Sequence, residues 1–102
     1  MATRVPVASI ADIQEGDYLS LRVNDLSVLI GLADGRYFAL EDQCPHARSA
    51  LAGGSLSGRE ITCPRHGAVF DVLTGSAVYP GGLPPIRTFD VEAEGGRLHI
   101  WI

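Results

Sequence analysis

Apolar and polar residues alternate along the first forty residues, and this pattern predicts β-strands. In segment 18–23 apolar residues occupy every second position, as in a strand with one buried face. Segment 27–32 repeats the pattern, and an Asp34-Gly35 pair separates it from a further apolar run at 36–40. An Asp-Gly pair between apolar runs favours a hairpin turn because glycine accepts a positive φ. We therefore expect antiparallel strands in this part of the chain.

The C-terminal segments 88–94 and 97–102 show the same alternation on either side of a Gly95-Gly96 turn. No segment predicts an amphipathic helix of three turns, and Ile10–Gln14 predicts at most a single helical turn. Short strands with regular turns are typical of a small antiparallel sandwich or barrel. The fold class expected from the pattern is all-β.

The chain has 102 residues, of which 46% are hydrophobic and 20% are charged, as in one globular domain spanning residues 1–102. Twelve acidic residues and eight arginines leave a formal net charge of −4. Nucleic-acid binding is therefore not expected, since it usually needs clustered positive charge. No apolar run reaches the roughly 18 residues of a membrane span, and residues 1–10 lack a signal-peptide core. We expect a soluble cytoplasmic protein that is monomeric by default.

Residues 41–82 differ from the two ends of the chain because they are rich in glycine, proline and serine. Short strands are predicted here only at 60–62, at 69–72 and around 77–79. Roughly forty residues of sparse structure are unusual in a compact domain. We therefore expect a bound group to organise this part of the chain.

Each of the two cysteines is followed closely by a histidine, in Cys44-Pro45-His46 and in Cys63-Pro64-Arg65-His66. A cytoplasmic location disfavours a disulfide, so metal binding or catalysis is the better interpretation of the cysteines. The proline after each cysteine stiffens its turn. Glycines at 53, 54 and 67 are expected to let the backbone approach a bound group.

Two sulfurs and two imidazoles on facing turns suit three kinds of site. Zinc binds two cysteines and two histidines tetrahedrally, although its common motifs group like ligands in pairs. A cysteine–histidine nucleophile needs only one of the turns. A [2Fe–2S] cluster in which two histidines replace two cysteines on one iron uses all four residues. The pattern favours this third site, with zinc as the main alternative.

The two motifs resemble the signature of Rieske-type ferredoxins, C-x-H followed by C-x-x-H. The likeness extends to the flanking segments 37–42 and 70–75. The proline-rich stretch 79–85 falls where that family has a loop covering its cluster. The resemblance therefore spans nearly the whole chain.

The resemblance implies a Rieske-type antiparallel β-sandwich or barrel with an inserted cluster-binding subdomain at about residues 41–82. It implies one Rieske-type [2Fe–2S] cluster as the cofactor. Cys44 and Cys63 would hold the buried iron, and His46 and His66 would hold the outer iron. No residue is assigned a catalytic role.

The chain departs from respiratory and photosynthetic Rieske subunits at four positions. Those subunits carry a disulfide-forming cysteine in each turn, where this chain has Ser49 and Arg65. They also place serine and tyrosine hydroxyls near the cluster sulfurs, where this chain has Ala68 and Phe70. Hydrogen bonds to the cluster sulfurs raise the reduction potential. Because these donors are missing, we expect a low-potential cluster, at about −150 mV.

The resemblance implies a one-electron carrier, not an enzyme, in a multicomponent aromatic-ring-hydroxylating dioxygenase system. Its partners would be a flavin-dependent NAD(P)H reductase and a terminal oxygenase, met in transient contacts. Arg48 and Arg65 flank the two histidines, and they either dock acidic partner surfaces or are merely solvated. The alternatives are the small Rieske-like subunit of an NADH-dependent nitrite reductase and a zinc-stabilised interaction module.

Three further sets of polar residues are expected to be structural. Glu41 and Asp42 precede the first turn and are expected to hydrogen-bond loop backbone. Asp71 is expected to fix the turn that follows it. His99 lies on the polar face of its predicted strand and is not expected to be a ligand.

Overall fold

The computed structural model describes residues 3–45 and 49–102. Within these residues the chain forms eleven strands and one turn of 3-10 helix, η1, so that no helix there is long and apolar enough to cross a membrane. In chain order the elements are β1 (Arg4–Ser9), η1 (Ile10–Asp12), β2 (Tyr18–Val23), β3 (Leu26–Ala33), β4 (Arg36–Glu41), β5 (Ser55–Ser57), β6 (Glu60–Thr62), β7 (Val69–Asp71), β8 (Ala77–Tyr79), β9 (Thr88–Phe89), β10 (Val91–Glu94) and β11 (Arg97–Trp101). The expected all-β fold class is confirmed.

The strands of the described residues form three antiparallel sheets. The first sheet has the order β1-β11-β10, the second sheet β2-β3-β4-β9 and the third sheet β5-β6-β7-β8. The first sheet joins the two ends of the chain, because β1 pairs with β11. The third sheet lies between β4 and β9 in sequence, so it is an insertion into the second sheet.

The second sheet is buried on both of its faces at strand β3. Leu29 packs in one core with Phe70 of the third sheet. Val28 and Ile30 pack in the other core with Leu98 of the first sheet. The prediction of a single buried face was wrong for this strand, because the third sheet covers the face that alternation assigned to solvent.

The core between the second and third sheets contains both cysteines, and we call it the cysteine core. Its buried members are Leu29, Ala33, Phe38, Leu40, Cys44, Leu51, Ile61, Cys63, Ala68, Phe70, Val72 and Ile86. Close packing in such a core keeps side chains in defined positions. The two cysteines are therefore held by packed apolar side chains.

Most of the predicted elements are present with small changes in their bounds, but the prediction of one strand at 88–94 was wrong. The chain there divides at Asp90 into β9 of the second sheet and β10 of the first sheet. Strands β6 and β8 have the predicted bounds, β7 ends one residue earlier than predicted, and η1 is the expected helical turn. Strands β1 and β5 were not predicted. Pro6 interrupts the pattern of β1, and proline is tolerated there because β1 is an edge strand. Strand β5 has three residues, which is too short for a recognisable period.

Candidate metal centre

Each cysteine begins a segment that is closed by a backbone hydrogen bond to the fifth residue after it. In the first segment (residues 44–49) the Cys44 N–H donates to the Ser49 carbonyl oxygen at 2.7 Å. In the second segment (residues 63–68) the Cys63 N–H donates to the Ala68 carbonyl oxygen, also at 2.7 Å. Each segment is therefore closed by its own backbone hydrogen bond, and the two bonds join equivalent positions.

The two cysteine side chains are buried and in contact with each other. Cys44 is 0% exposed and Cys63 is 1% exposed, and the Cys44 thiol donates a hydrogen bond to the Cys63 sulfur. No disulfide joins these two described residues. Strand β4 ends three residues before Cys44, and β6 ends one residue before Cys63. The second and third sheets therefore each bring one sulfur to the same place.

Burial by itself raises the pKa of the Cys63 thiol, because the thiolate loses solvation in the core. Backbone N–H groups of His66 and Arg65 donate hydrogen bonds to its sulfur, as the Cys44 thiol does, and the Arg65 guanidinium adds positive charge. These groups outweigh burial and lower the pKa of Cys63 below its ordinary value. Since the thiolate is the form that binds metals, the second segment favours metal binding.

His66 is exposed at the tip of the second segment, as are Pro64, Arg65 and Gly67. Gly67 has a φ of 71°, and its N–H donates to the Cys63 carbonyl oxygen at 3.0 Å. Glycine adopts this conformation readily, so the chain turns back after His66. The segment therefore presents a buried sulfur at its base and an imidazole at its surface.

Two of the residues singled out from the sequence, His46 and Arg48, lie outside the described residues. Within residues 3–45 and 49–102, no three His, Cys, Asp or Glu side chains are grouped so as to hold a single metal ion. Among the candidate ligands that are described, the structure brings the two sulfurs together. It places the imidazole of His66 on the exposed side of the second segment.

Asp42 holds the chain that leaves the first segment. Its Oδ1 accepts hydrogen bonds from the N–H of Leu51 at 2.6 Å and of Ala52 at 2.9 Å, and its Oδ2 accepts one from the Ser20 hydroxyl at 3.2 Å. The prediction that Asp42 bonds loop backbone is thus confirmed. Because Asp42 lies two residues before Cys44, this carboxylate joins the chain that enters the first segment to the chain that leaves it.

Tyr18 holds the next two residues of the same stretch, and sequence reasoning missed it. Its hydroxyl donates to the Gly54 carbonyl oxygen at 2.8 Å and accepts from the Gly53 N–H at 3.0 Å. Tyr18 begins β2 of the second sheet, so the bond crosses from one sheet to the insertion. Its position in an ordinary strand pattern contains no signal of this role. Tyr18 and Asp42 together hold residues 51–54.

Gly54 packs against the strand that leads to Cys63. A Cβ atom at Gly54 would overlap the backbone carbonyl oxygen of Thr62 and lie 2.9 Å from that of Leu51. The sequence-based expectation was that this glycine makes room for a bound group. The structure instead shows that it makes room for the protein's own backbone, in the residue just before the ligand candidate Cys63.

Asp71 fixes the turn after β7, as expected. Its Oδ1 accepts hydrogen bonds from the N–H of Leu73 at 2.8 Å and of Thr74 at 3.3 Å, and its Oδ2 accepts one from Arg59 Nε at 2.8 Å. Further along the chain, Leu83 of the proline-rich stretch packs against the cysteine core. The hydrogen bonds of Asp71 and the packing of Leu83 therefore both fix segments next to the cysteine core.

His99 lies in β11 of the first sheet, outside the cysteine core. Its Nδ1 is 3.3 Å from Arg4 Nη2, and Arg4 also forms ion pairs with Glu92 and Glu94. These contacts agree with the structural role expected for His99. It is therefore a suitable control residue for tests of the other histidines.

Replacing Asp42 by alanine is expected to lower the free energy of unfolding by about 2 kcal/mol, as measured by urea denaturation. The variant leaves the N–H groups of Leu51 and Ala52 without their carboxylate acceptor in a partly buried position. The more conservative Asp42→Asn keeps an oxygen at the Oδ1 position and should lose less than half as much. Equal losses in the two variants would contradict the assigned hydrogen bonds.

The fold and site together define a class of protein. Two buried sulfurs from two segments lie in contact, an exposed histidine stands on the segment of Cys63, and both segments belong to an insertion in a small all-β fold. Thiolate and imidazole donors suit iron and zinc, and a metal group held between a buried core and an exposed histidine can exchange electrons at the surface. The class is a small all-β metalloprotein of the electron-transfer type.

The chain belongs to the Rieske [2Fe-2S] domain family, whose model matches residues 3–90. It is 34% identical, over 92% of this chain and 90% of the relative, to the ferredoxin component of the naphthalene 1,2-dioxygenase/salicylate 5-hydroxylase systems of Ralstonia sp.. The cofactor of the family is a Rieske-type [2Fe–2S] cluster. Since this relative is a ferredoxin component, the chain belongs with the electron carriers and not with the catalytic subunits.

Two solved structures show the same fold. The Sphingomonas yanoikuyae B1 ferredoxin matches with a TM-score of 0.89 and 27% identity, over 98% of this chain and 99% of that chain. A chain in the complex of reduced oxygenase and oxidized ferredoxin in carbazole 1,9a-dioxygenase matches with a TM-score of 0.87 and 29% identity, over 96% of this chain and 92% of that chain. The fold is therefore that of Rieske-type ferredoxins.

Proposed function

We propose that this protein carries single electrons from a flavin-dependent NAD(P)H reductase to the terminal oxygenase of an aromatic-ring-hydroxylating dioxygenase. The observation that carries the proposal is the contact between the buried side chains of Cys44 and Cys63, with an exposed His66 on the same segment as Cys63. The names of the ferredoxin relatives support the assignment to a dioxygenase system. The proposal includes a cytoplasmic location and a monomeric state for this carrier.

The ligands in this proposal are Cys44, His46, Cys63 and His66, and residues about 41–82 form the cluster-binding subdomain. The donor set fits the cofactor, because the two buried sulfurs are adjacent and the sulfur of Cys63 already accepts backbone hydrogen bonds that favour its thiolate. When bound, the cluster supplies a centre that accepts and releases one electron. The absence of hydroxyl groups at Ala68 and Phe70 supports a low potential for it.

The chain's own residues supply burial on one side of the site and access on the other. Leu51 and Phe70 are 0% exposed in the cysteine core and exclude water from the two sulfurs. His66 and the residues next to it are exposed. A partner protein therefore approaches the site from the side of His66, the exposed residue that would hold the cofactor nearest the surface.

The docking surface in this proposal is centred on the exposed tip of the second segment. Arg65 brings a positive charge to it, in a protein whose formal net charge is −4. Tyr79 is 66% exposed and pairs with Val69, which follows the second segment, so an exposed aromatic side chain lies beside the strand that leaves this segment. We expect Arg65, and Arg48 of the first turn, to face acidic partner surfaces in a small, short-lived interface.

Iron analysis and electron paramagnetic resonance (EPR) spectroscopy of anaerobically purified protein test this function. We expect iron and acid-labile sulfide in equal amounts, a red-brown colour and a Rieske EPR signal after reduction. A colourless protein that contains zinc instead would support an interaction module and overturn the proposal. Reduction by a flavin-dependent reductase, followed by reoxidation by an aromatic-ring oxygenase, separates this carrier from a nitrite reductase subunit.

A further inference from the structure

The hydroxyl group of Ser49 is buried in the first segment and has no partner among residues 3–45 and 49–102. Its Oγ is shielded from solvent and forms no hydrogen bond with any residue that the structure describes. A buried hydroxyl normally has a partner, because it loses its hydrogen bonds to water when it is buried. We therefore expect this hydroxyl to have a hydrogen-bond acceptor in the form of the protein that carries its cofactor.

The position of Ser49 shows where that acceptor lies. Ser49 and Cys44 face each other as an antiparallel bridge pair, and residues paired in this way direct their side chains to the same face, with Cβ atoms about 5 Å apart. Cys44 is fully buried and touches Cys63. The Ser49 hydroxyl is therefore on the side of the chain where the sulfurs gather.

The second segment provides a comparison within the same molecule. Its closing residue is Ala68, which accepts the backbone hydrogen bond of Cys63 just as Ser49 accepts that of Cys44. Ala68 has no polar side-chain atom, so the second segment is closed without a hydroxyl. The hydroxyl in the first segment is thus not required for closing such a turn.

We propose that Ser49 is a potential-tuning residue, whose hydroxyl donates a hydrogen bond to a sulfur atom of the [2Fe–2S] site. This inference rests on the proposed function, because the sulfur site forms when the cluster is bound. The acceptor is either the Cys44 thiolate or an inorganic sulfide of the cluster, and both have the same chemistry. A donor at sulfur stabilises the more negative, reduced state, so Ser49 raises the midpoint potential.

Potentiometry of Ser49→Ala tests the inference on the cluster-loaded protein. The one-electron equilibrium should shift about tenfold toward the oxidised state, which lowers the midpoint potential by about 59 mV. Ser57→Ala removes an exposed hydroxyl of β5 and should leave the potential unchanged. A Ser49→Ala protein that loses stability but keeps the wild-type potential would show a merely structural role and overturn the inference.

A second pair of variants covers the case in which Ser49→Ala fails to assemble a cluster. Ser49→Thr and Ser49→Val have nearly the same shape and differ in the hydroxyl alone. The threonine variant should keep a potential close to that of the wild type, and the valine variant should show the decrease. Equal potentials in these two variants would overturn the inference.

Resonance Raman spectroscopy identifies the acceptor and checks the bond without a potential measurement. Exchange into heavy water should shift iron–sulfur frequencies in the wild type more than in Ser49→Ala. Reconstitution with heavy-isotope sulfide then shows whether the sensitive band belongs to inorganic sulfide or to the Cys44 thiolate. Equal shifts in the two proteins would overturn the inference. A wild-type protein without iron and sulfide would overturn the proposed function together with this inference. Equal shifts in two cluster-loaded proteins would overturn this inference alone, so the two failures are distinguishable.

Discussion

Replacing His66 by alanine is expected to abolish the Rieske EPR signal of the reduced protein. His66 is one of only two histidines close behind a cysteine, and it stands exposed at the tip of the second segment. Removing its imidazole leaves the outer iron of the proposed site one ligand short, so the cluster should be lost or altered. His66→Cys should also lose the signal, because a charged thiolate replaces a neutral nitrogen and moves the site toward all-sulfur coordination.

The matched control for this experiment is His99→Ala. His99 lies in the first sheet beside Arg4, so this variant should keep the full EPR signal, colour and iron content. Because His66 is exposed, its replacement should change the free energy of unfolding of the metal-free protein by no more than about 0.5 kcal/mol. An intact Rieske signal in His66→Ala would refute its assignment as a ligand. A signal lost in both variants would point to unfolding instead.

Replacing Gly54 by alanine is expected to cause the largest loss of stability among the single substitutions considered, about 3 kcal/mol or more. The added Cβ would overlap the Thr62 carbonyl oxygen, and Leu51 closes the other side at 2.9 Å. Both neighbours are backbone atoms, so neither can rotate away. The overlap is removed only if the residues after the first segment move away from β6. This movement would separate Cys44 from Cys63.

Urea denaturation of the metal-free protein and the rate of iron release from the loaded protein measure this effect. We expect a lower free energy of unfolding and faster iron release, because the two sulfurs no longer lie together. Gly81→Ala is the matched control, since a Cβ there meets no atom within 4 Å. That variant should be neutral or stabilising by up to about 1 kcal/mol. Similar losses at both glycines would contradict the assigned contact.

The ligand candidates could be predicted from the sequence because their chemistry is local. A cysteine with a histidine two or three residues later defines a donor pair whatever the rest of the fold does, and Gly67 follows the second pair directly. The strands β6 and β8 could also be predicted, because alternation and turn residues act over a few neighbouring positions. Asp42 could be recognised as a loop-bonding residue from its place just before the first motif.

The contacts that support the site could not be predicted in this way. Tyr18 lies 36 residues before the carbonyl group to which it donates, and nothing near it in the chain indicates that partner. The same holds for the orphaned hydroxyl of Ser49, since burial is a property of the packed molecule. The double burial of β3 escaped prediction because it depends on the third sheet, which is inserted later in the chain.

The amino-acid sequence by itself determined the all-β class, the positions of most strands and the types of donor atom, because each depends on residues close together in the chain. Only the tertiary structure decided that Cys44 and Cys63 touch, that Asp42 and Tyr18 hold residues 51–54, and that Gly54 must admit the backbone of Thr62. Each of these facts joins segments from different sheets or turns. Such contacts form only when the sheets pack, and the packing of a whole chain is not contained in any local pattern.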